Sequence, residues 1–224
     1  MKKPKIFIAC DTTNLAKVKQ IIKQSKTNEI KIGYKFGLEF INSKKGRQFI
    51  STLKKKIIFI DLKLNDTVNT MVSAVKALKD LKINYLTIHI SSGLKALSSV
   101  KKVSGRTKLV GVTILTSLDN KALKEIGFNK DVRKLVLNQA KLAAKAKLDA
   151  IVCSAQEVKI VKKVFKKEII TPGIRFNSKL NDQKRVLTPK QAYKNGSDWL
   201  VIGRPITKGN IKENIKKLID HLSQ

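Results

Sequence analysis

The stretch IIFIDLKLND, residues 57–66, contains the pattern that decides the fold. Its four leading apolar residues predict a strand that is buried on both faces, as in a parallel sheet. Alternate residues of a strand project from one face, so Asp61 and Lys63 should lie on the same side at the end of this strand. Asp66 follows in the next loop, where we expect it to complete an Asp-Lys-Asp array.

Charges at the end of a buried strand have two interpretations. They could form a purely structural ion-pair network, but replacing a buried ion pair with apolar residues is often neutral or stabilising, so such networks add little stability. Ionisable groups that line a cleft more often mark a functional site. We therefore interpret Asp61, Lys63 and Asp66 as a catalytic array.

This array belongs to a regular alternation of predicted strands and helices. The apolar pattern predicts eight buried strands. They cover residues 5–10, 29–34, 56–63, 84–90, 108–115, 150–154, 168–174 and 199–206. Helical spacing appears between them, for example at 68–81 and 133–146, and again at 211–222. Eight alternations without a Pro/Gly/Ser-rich linker predict an α/β protein with a single (β/α)8 TIM barrel domain over residues 1–224, and a doubly wound sheet is the alternative.

The positions of the polar residues favour the barrel. Most of them lie at or just after the C-terminal part of a predicted strand, although Lys31 lies midway along its strand. The residues concerned are Asp11, Lys31, Asp61, Lys63, His89, Thr116 and Arg204. A barrel builds its active site at that face from several strands, whereas an open sheet would spread these residues along a line. No Gly-x-Gly-x-x-Gly follows the first strand, so the dinucleotide-binding form of the open sheet has no support.

Two further motifs predict a phosphate site at the last two strands. ITPGIR, residues 170–175, has Pro-Gly at a strand end, and IGRPI, residues 202–206, places Gly203 beside the guanidinium of Arg204. Either motif alone could be an ordinary turn. Together they lie at the ends of strands seven and eight, and the loops after these strands are where barrels usually bind phosphate.

The net charge of +32 does not by itself indicate nucleic-acid binding. The basic residues are 42 Lys and only 6 Arg, they are spread over the whole chain, and aromatic residues make up 5% of it. Proteins that recognise the phosphates or bases of nucleic acids favour Arg, and proteins that bind single strands also use aromatic residues. We interpret the charge as solvated surface that helps to attract an anionic substrate, with no specific nucleic-acid partner.

The remaining signals concern compartment and metal binding. Cys10 and Cys153 both follow apolar runs, which favours buried reduced thiols in a cytoplasmic protein. The apolar run near the N-terminus is too short for a membrane span or a signal peptide. The two histidines are His89, which we interpret as a core residue outside the catalytic set, and His221 in the last predicted helix. No His-rich metal site is expected.

The chain resembles the orotidine 5'-phosphate decarboxylase family, in its bacterial form, over essentially its whole length. The matching segments are IACD (8–11), IKIG (30–33), DLKLNDTVNT (61–70), TILTS (113–117), VCSAQE (152–157), TPGIR (171–175), DQKRVLTP (182–189) and VIGRPIT (201–207). The resemblance implies a TIM barrel that decarboxylates orotidine 5'-phosphate to uridine 5'-phosphate, the last step of de novo UMP synthesis. It also implies a homodimer with active sites shared across the interface, and no cofactor or metal.

The resemblance implies a role for each matching residue. Lys63 would donate a proton to C6 of the pyrimidine, Asp61 would lie beside the reacting carboxylate, and Asp66 would reach into the neighbouring subunit's site. The implied substrate-binding residues fall into three groups. Asp11 and Lys31 would hold the ribose and complete an alternating chain of charges, Thr116 and Ser117 would contact the pyrimidine, and Arg175, Gln183, Gly203 and Arg204 would hold the phosphate.

The match departs from the family after Lys63. Many bacterial members read Asp-Leu-Lys-Phe-His-Asp-Ile-Pro-Asn-Thr, whereas Leu64, Asn65, Thr67 and Val68 fill the variable positions here. Thr67 still offers a backbone group and a hydroxyl to a partner's site. We expect the missing proline to loosen this loop without changing the chemistry, because the charged residues are intact.

Two other functions remain as alternatives. Related sugar-phosphate decarboxylases and synthases share the Asp-x-Lys-x-x-Asp cluster, but they typically have a magnesium-binding glutamate at the position that we assign to Lys31. An ammonium cannot ligate magnesium, which prefers carboxylate oxygens. The second alternative is an inactive barrel that serves as a basic scaffold for RNA, and the intact Lys63 and Arg204 argue against it.

Overall fold

A computed structural model describes residues 3–176 and 187–223. Its eight parallel strands form a closed barrel in which each strand pairs with the next and β8 pairs with β1. The strands are β1 Lys5–Ala9, β2 Lys31–Gly37, β3 Ile57–Leu64, β4 Tyr85–His89, β5 Lys108–Val112, β6 Ala150–Val152, β7 Glu168–Thr171 and β8 Trp199–Ile202. The predicted barrel is confirmed, and the doubly wound alternative is wrong.

Helices follow the strands along the described chain. The α-helices are α1 Leu15–Gln24, α2 Leu38–Ile41, α3 Gly46–Thr52, α4 Val68–Ala77, α5 Gly93–Val103, α6 Asn120–Glu125, α7 Val132–Lys145, α8 Val158–Val164, α9 Pro189–Lys194, α10 Arg204–Thr207 and α11 Ile211–Ser223. Two 3-10 helices cover Lys79–Leu81 and Ile90–Ser92. Among the described helices, none is both long and apolar enough to cross a bilayer.

Local sequence explains where several helices begin. The side chains of Asn14 and Asp131 accept hydrogen bonds from backbone N–H groups in the first turns of α1 and α7. Thr188 and Gln191 form a capping box at α9, and Pro189 occupies the first helical position. These side chains satisfy backbone donors that have no partner within the helix, so each helix starts at a defined residue after its loop.

The apolar core has two layers. One layer lies between the strands and the surrounding helices, and the other fills the inside of the barrel. The inner layer is aromatic: Phe7 stacks on Trp199 with 4.2 Å between ring centroids and tilts against Phe59 at 4.9 Å. The filled interior closes the barrel below its C-terminal rim. The inner layer therefore lies beneath the strand ends that can form an active site.

The second strand differs from its prediction in a way that matters for the site. We predicted it at residues 29–34, but β2 runs from Lys31 to Gly37. Lys31 pairs with Lys5 at the start of β1, whereas Lys35 pairs with Ala9 at the end of β1. Lys31 therefore lies at the N-terminal end of the barrel, and Lys35 reaches the C-terminal end.

Candidate active site

A cavity of about 510 Å³ opens at the C-terminal rim of the barrel. Its lining residues come from the ends of β1, β2, β3, β5, β6, β7 and β8. Asp11, Lys35, Asp61 and Lys63 contribute charged groups from the first three strands. Phe59 and Val201 are among its apolar residues and belong to the inner core layer as well. The cavity thus combines an apolar floor with a charged wall.

The charged wall is a chain of alternating signs. Asp11 Oδ1 lies 2.8 Å from Lys35 Nζ, which lies 3.5 Å from Asp61 Oδ2, and Asp61 Oδ1 lies 2.9 Å from Lys63 Nζ. The side chains of Lys35 and Asp61 are 10% and 14% exposed, whereas that of Lys63 is 35% exposed. The two inner charges are thus held away from water, and the ammonium of Lys63 is the accessible cation at one end.

Mutual attraction keeps the two inner groups ionised. Burial by itself raises the pKa of Asp61, but the ammoniums of Lys35 and Lys63 outweigh burial and lower that pKa below its usual value. Burial lowers the pKa of Lys35, but the carboxylates of Asp61 and Asp11 outweigh it and raise that pKa. Opposite charges stabilise each other in a site of low dielectric. The wall is therefore preorganised and carries its charges before any ligand arrives.

The prediction for Lys31 is wrong. Lys31 is exposed at the opposite end of β2, and Lys35 occupies the place in the charge chain that we assigned to it. Both lysines precede a glycine by two residues and project from the same face of the strand, because they are four residues apart. The two lysines differ in their distance from the C-terminal end of β2, which lies at Gly37 and therefore next to Lys35. The sequence signal for Lys35 was its position at the end of the segment KIGYKFG, which our predicted strand cut short.

Asp66 does not complete the array within its own chain. It is exposed, and its Oδ1 accepts a hydrogen bond from the Thr67 backbone N–H at 2.6 Å. Among the described residues, the carboxylate that pairs with Lys63 is that of Asp61. Thr67 is also exposed, and its hydroxyl lies 3.1 Å from that of Thr70. Asp66 and Thr67 are absent from the lining of the cavity of their own chain.

The loop after β3 is held by hydrogen bonds in place of the family's proline. The Ser92 hydroxyl donates to Asn65 Oδ1 at 2.8 Å and thereby ties this loop to the end of β4. Thr67 is the N-cap residue of α4, but its side chain makes no capping hydrogen bond. The Ser92 contact thus anchors the loop on the N-terminal side of Asp66.

Lys63 has an unusual backbone conformation. Its φ of 51° lies in the left-handed region, which costs a residue with a Cβ about 1–2 kcal/mol. The β3–β4 register is irregular at this point: Ile60 pairs with Leu86, and the next pair is Leu64 with Ile88. Such bulges often redirect a side chain beside an active site. Here the irregular backbone orients Lys63 toward the cavity.

The predicted pyrimidine and phosphate residues line the same cavity where the structure describes them. Thr116 and Ser117 follow β5, Arg175 follows β7, and Gly203 and Arg204 follow β8. Gln183 lies outside the described residues. The cavity therefore has a lysine-carboxylate wall from the first three strands and two arginines from the last two.

His89 lies at the end of β4, close to the charged wall but outside the cavity lining. Burial, and to a smaller extent the ammonium of Lys63, lower the pKa of His89 below its usual 6.5. Within residues 3–176 and 187–223, no three His, Cys, Asp or Glu side chains form a cluster that could hold a metal.

Fold and site together define a TIM barrel enzyme whose rim carries an ion-paired lysine and, in the same cavity, two arginines. The family model for orotidine 5'-phosphate decarboxylase / HUMPS matches residues 4–218, and the chain belongs to that family.

Similar proteins agree with this membership. An orotidine 5'-phosphate decarboxylase of Wolbachia sp. subsp. Brugia malayi (strain TRS) is 44% identical, with 96% of each chain covered. One from Ehrlichia chaffeensis is 46% identical over 77% of this chain and 78% of its own length. The crystal structure of orotidine 5'-phosphate decarboxylase from Lactobacillus acidophilus has a TM-score of 0.83 and 30% identity, and all of both chains is covered.

Proposed function

We propose that this protein decarboxylates orotidine 5'-phosphate to uridine 5'-phosphate without a metal or organic cofactor. The observation that carries the proposal is the chain Asp11–Lys35–Asp61–Lys63, whose accessible end is an ammonium facing a cavity lined by Arg175 and Arg204. A nucleotide with its phosphate at the arginines can place its pyrimidine toward Lys63. Relatives with 44% and 46% identity have the same activity in their names.

The decarboxylation depends on the proton that the Lys63 ammonium can give to C6 of the pyrimidine. When the bond between C6 and the carboxylate breaks, carbon dioxide leaves and its bonding electron pair stays on C6, where no adjacent carbonyl can accept it. The Lys63 ammonium stabilises this negative charge and transfers a proton from Nζ to C6, and the resulting amine regains a proton from water. A fixed cation needs no reorganisation when the charge develops, which lowers the barrier.

The other groups would serve binding. Arg175, Gly203 and Arg204, with Gln183, would hold the phosphate, and Thr116 and Ser117 would contact the base. Binding energy from the phosphate, remote from C6, would orient the ring and close the loops around it. Asp11 and Lys35 would hold the ribose hydroxyls, and Lys35 takes this role in place of Lys31.

The related sugar-phosphate enzymes are the second candidate, because the family model includes their group. The lysine beside the two carboxylates is Lys35 and not Lys31. The ammonium of Lys35 lies between Asp11 and Asp61 and neutralises the two carboxylates that a magnesium ion would need. This arrangement favours the metal-free nucleotide decarboxylase.

We further propose a homodimer in which Asp66 and Thr67 enter the partner's cavity, with residues 1–224 acting as one domain. Both residues are exposed and absent from the lining of their own chain's cavity, although they follow directly after the catalytic strand. A cytoplasmic location is part of the same proposal, and it is supported by two buried cysteines that form no disulfide with each other.

An ultraviolet assay tests the function. Wild-type protein should convert orotidine 5'-phosphate in the presence of a chelator, and Lys63→Ala should lose at least about 1,000-fold in kcat because no proton donor remains. Activity that disappears with chelator would favour the sugar-phosphate relatives. A protein with no decarboxylase activity but with salt-sensitive RNA binding would instead be the basic scaffold.

A further inference from the structure

The irregular pairing between β3 and β4 leaves one β4 residue opposite a three-residue bulge. Ile60 pairs with Leu86 and Leu64 with Ile88, so residues 61–63 lie opposite Thr87 alone. Regular ladder hydrogen bonds cannot form across such a mismatch. The side chain of Thr87 supplies the missing contacts.

The Thr87 hydroxyl makes two hydrogen bonds with opposite roles. It accepts from the backbone N–H of Lys63 at 2.8 Å, and it donates to Asp61 Oδ1 at 3.0 Å. A hydroxyl has a single proton, so donation to the carboxylate leaves a lone pair for the backbone N–H. The same Asp61 oxygen accepts from Lys63 Nζ at 2.9 Å. Thr87, Asp61 and Lys63 therefore form a closed ring of contacts.

We propose that Thr87 is a positioning residue for the reaction, because its one hydroxyl fixes both the backbone of Lys63 and the carboxylate of Asp61. The inference rests on the proposed role of Lys63 as proton donor. Thr87 is 1% exposed and is absent from the cavity lining, so it acts through these two residues and does not touch the substrate.

Burial makes both hydrogen bonds important. Without the hydroxyl, the Lys63 N–H loses its acceptor in a place that water reaches poorly, and a buried donor without a partner is destabilising. Relaxing the left-handed backbone would then move the Lys63 ammonium relative to C6. The branched side chain of Thr87 also restricts its own rotation, which keeps the oxygen in place.

The test compares Thr87→Val with Thr87→Ser. Valine keeps the shape and removes the hydroxyl, so kcat for orotidine 5'-phosphate should fall by about 10- to 100-fold, whereas KM should change by less than about threefold. Serine keeps the hydroxyl and should restore kcat to within about fivefold of the wild type. The matched control is Thr107→Val. Thr107 lies just before β5, and its hydroxyl donates to the carbonyl of Ile83. Removing this hydroxyl should leave kcat and KM unchanged.

A second measurement does not depend on the reaction. Crystal structures of the wild type and of Thr87→Val should show that the variant's Lys63 leaves the left-handed region and loses its 2.9 Å contact with Asp61. Either an unchanged Lys63 geometry or a kcat within about threefold of the wild type would overturn the inference. If Thr87→Val does not fold, Thr87→Cys, which has only a weak donor, is judged by the same two measurements. A wild type that converts no orotidine 5'-phosphate would refute the proposed function, and the crystal structures would still decide the role of Thr87.

Discussion

Lys35 Nζ lies 3.5 Å from Asp61 Oδ2, and this contact joins β2 to β3 at the rim of the barrel. Both side chains are largely buried, so each charge depends mainly on its partner for stabilisation. Removing one member of such a pair is costly because it leaves the other buried and uncompensated. Lys35 therefore helps to keep Asp61 ionised and in place beside Lys63.

The first prediction compares the two lysines of β2. Lys35→Ala should lower kcat/KM by at least about 100-fold, because Asp11 and Asp61 then repel each other without the ammonium between them. Lys31→Ala, at the exposed opposite end of the same strand, should stay within about twofold of the wild type. Steady-state kinetics on both variants decide the question. Equal losses would show that the charge chain is not the active site.

The second prediction concerns the shared site. Asp66→Ala and Lys63→Ala should each be nearly inactive, and an equimolar mixture should recover roughly a quarter of wild-type activity, because half of the random dimers contain one intact site out of two. The measurement is activity after the two variants are unfolded and refolded together. No recovery would refute the proposed sharing of sites, and the matching control is a mixture in which both subunits carry Lys63→Ala.

The third prediction concerns pH and His89. Its pKa is lowered from 6.5, chiefly by burial and then by the ammonium of Lys63. The unfolded state therefore binds this proton more readily, so the stability that neutral His89 contributes is present above pH 6.5 and declines as the pH falls through and below that value. Urea unfolding between about pH 5 and pH 8 should show a weaker pH dependence in His89→Gln than in the wild type. If the free energy of unfolding changed equally with pH in both proteins, His89 would not be the source of the pH dependence.

The fourth prediction concerns Gly33, in the segment IKIG. A Cβ at this position would lie 2.6 Å from Phe7 Cε1 and 3.1 Å from the Ile57 carbonyl oxygen. Phe7 is fully buried and stacked on Trp199, so it has little room to move. Gly33→Ala should lower the free energy of unfolding by about 1–3 kcal/mol, as measured in urea.

A compensating variant tests the reason for that loss. Phe7→Leu by itself leaves a cavity, but in the Gly33→Ala background it relieves the clash, so the two effects should be less than additive. Strict additivity would mean that Gly33 and Phe7 do not compete for the same space.

A sequence pattern by itself determined most of this protein. Apolar runs indicated all eight strands and placed Asp61 and Lys63 at the C-terminal end of β3, because burial of a strand on both faces is visible in the local sequence. The motifs at the ends of the seventh and eighth predicted strands likewise placed Arg175 and Arg204 at one cavity.

Tertiary structure decided the features that depend on pairing between strands. Periodicity assigns Lys31 and Lys35 to the same face of β2, but only the hydrogen bonds with β1 and β3 determine that the strand continues to Gly37 and brings Lys35 to the rim. The mismatch of β3 with β4 turned Lys63 into a left-handed conformation and brought Thr87 to it, and no local pattern marks such a mismatch. The chain sequence specifies which residues can share a face, whereas the register between strands specifies which of them meet.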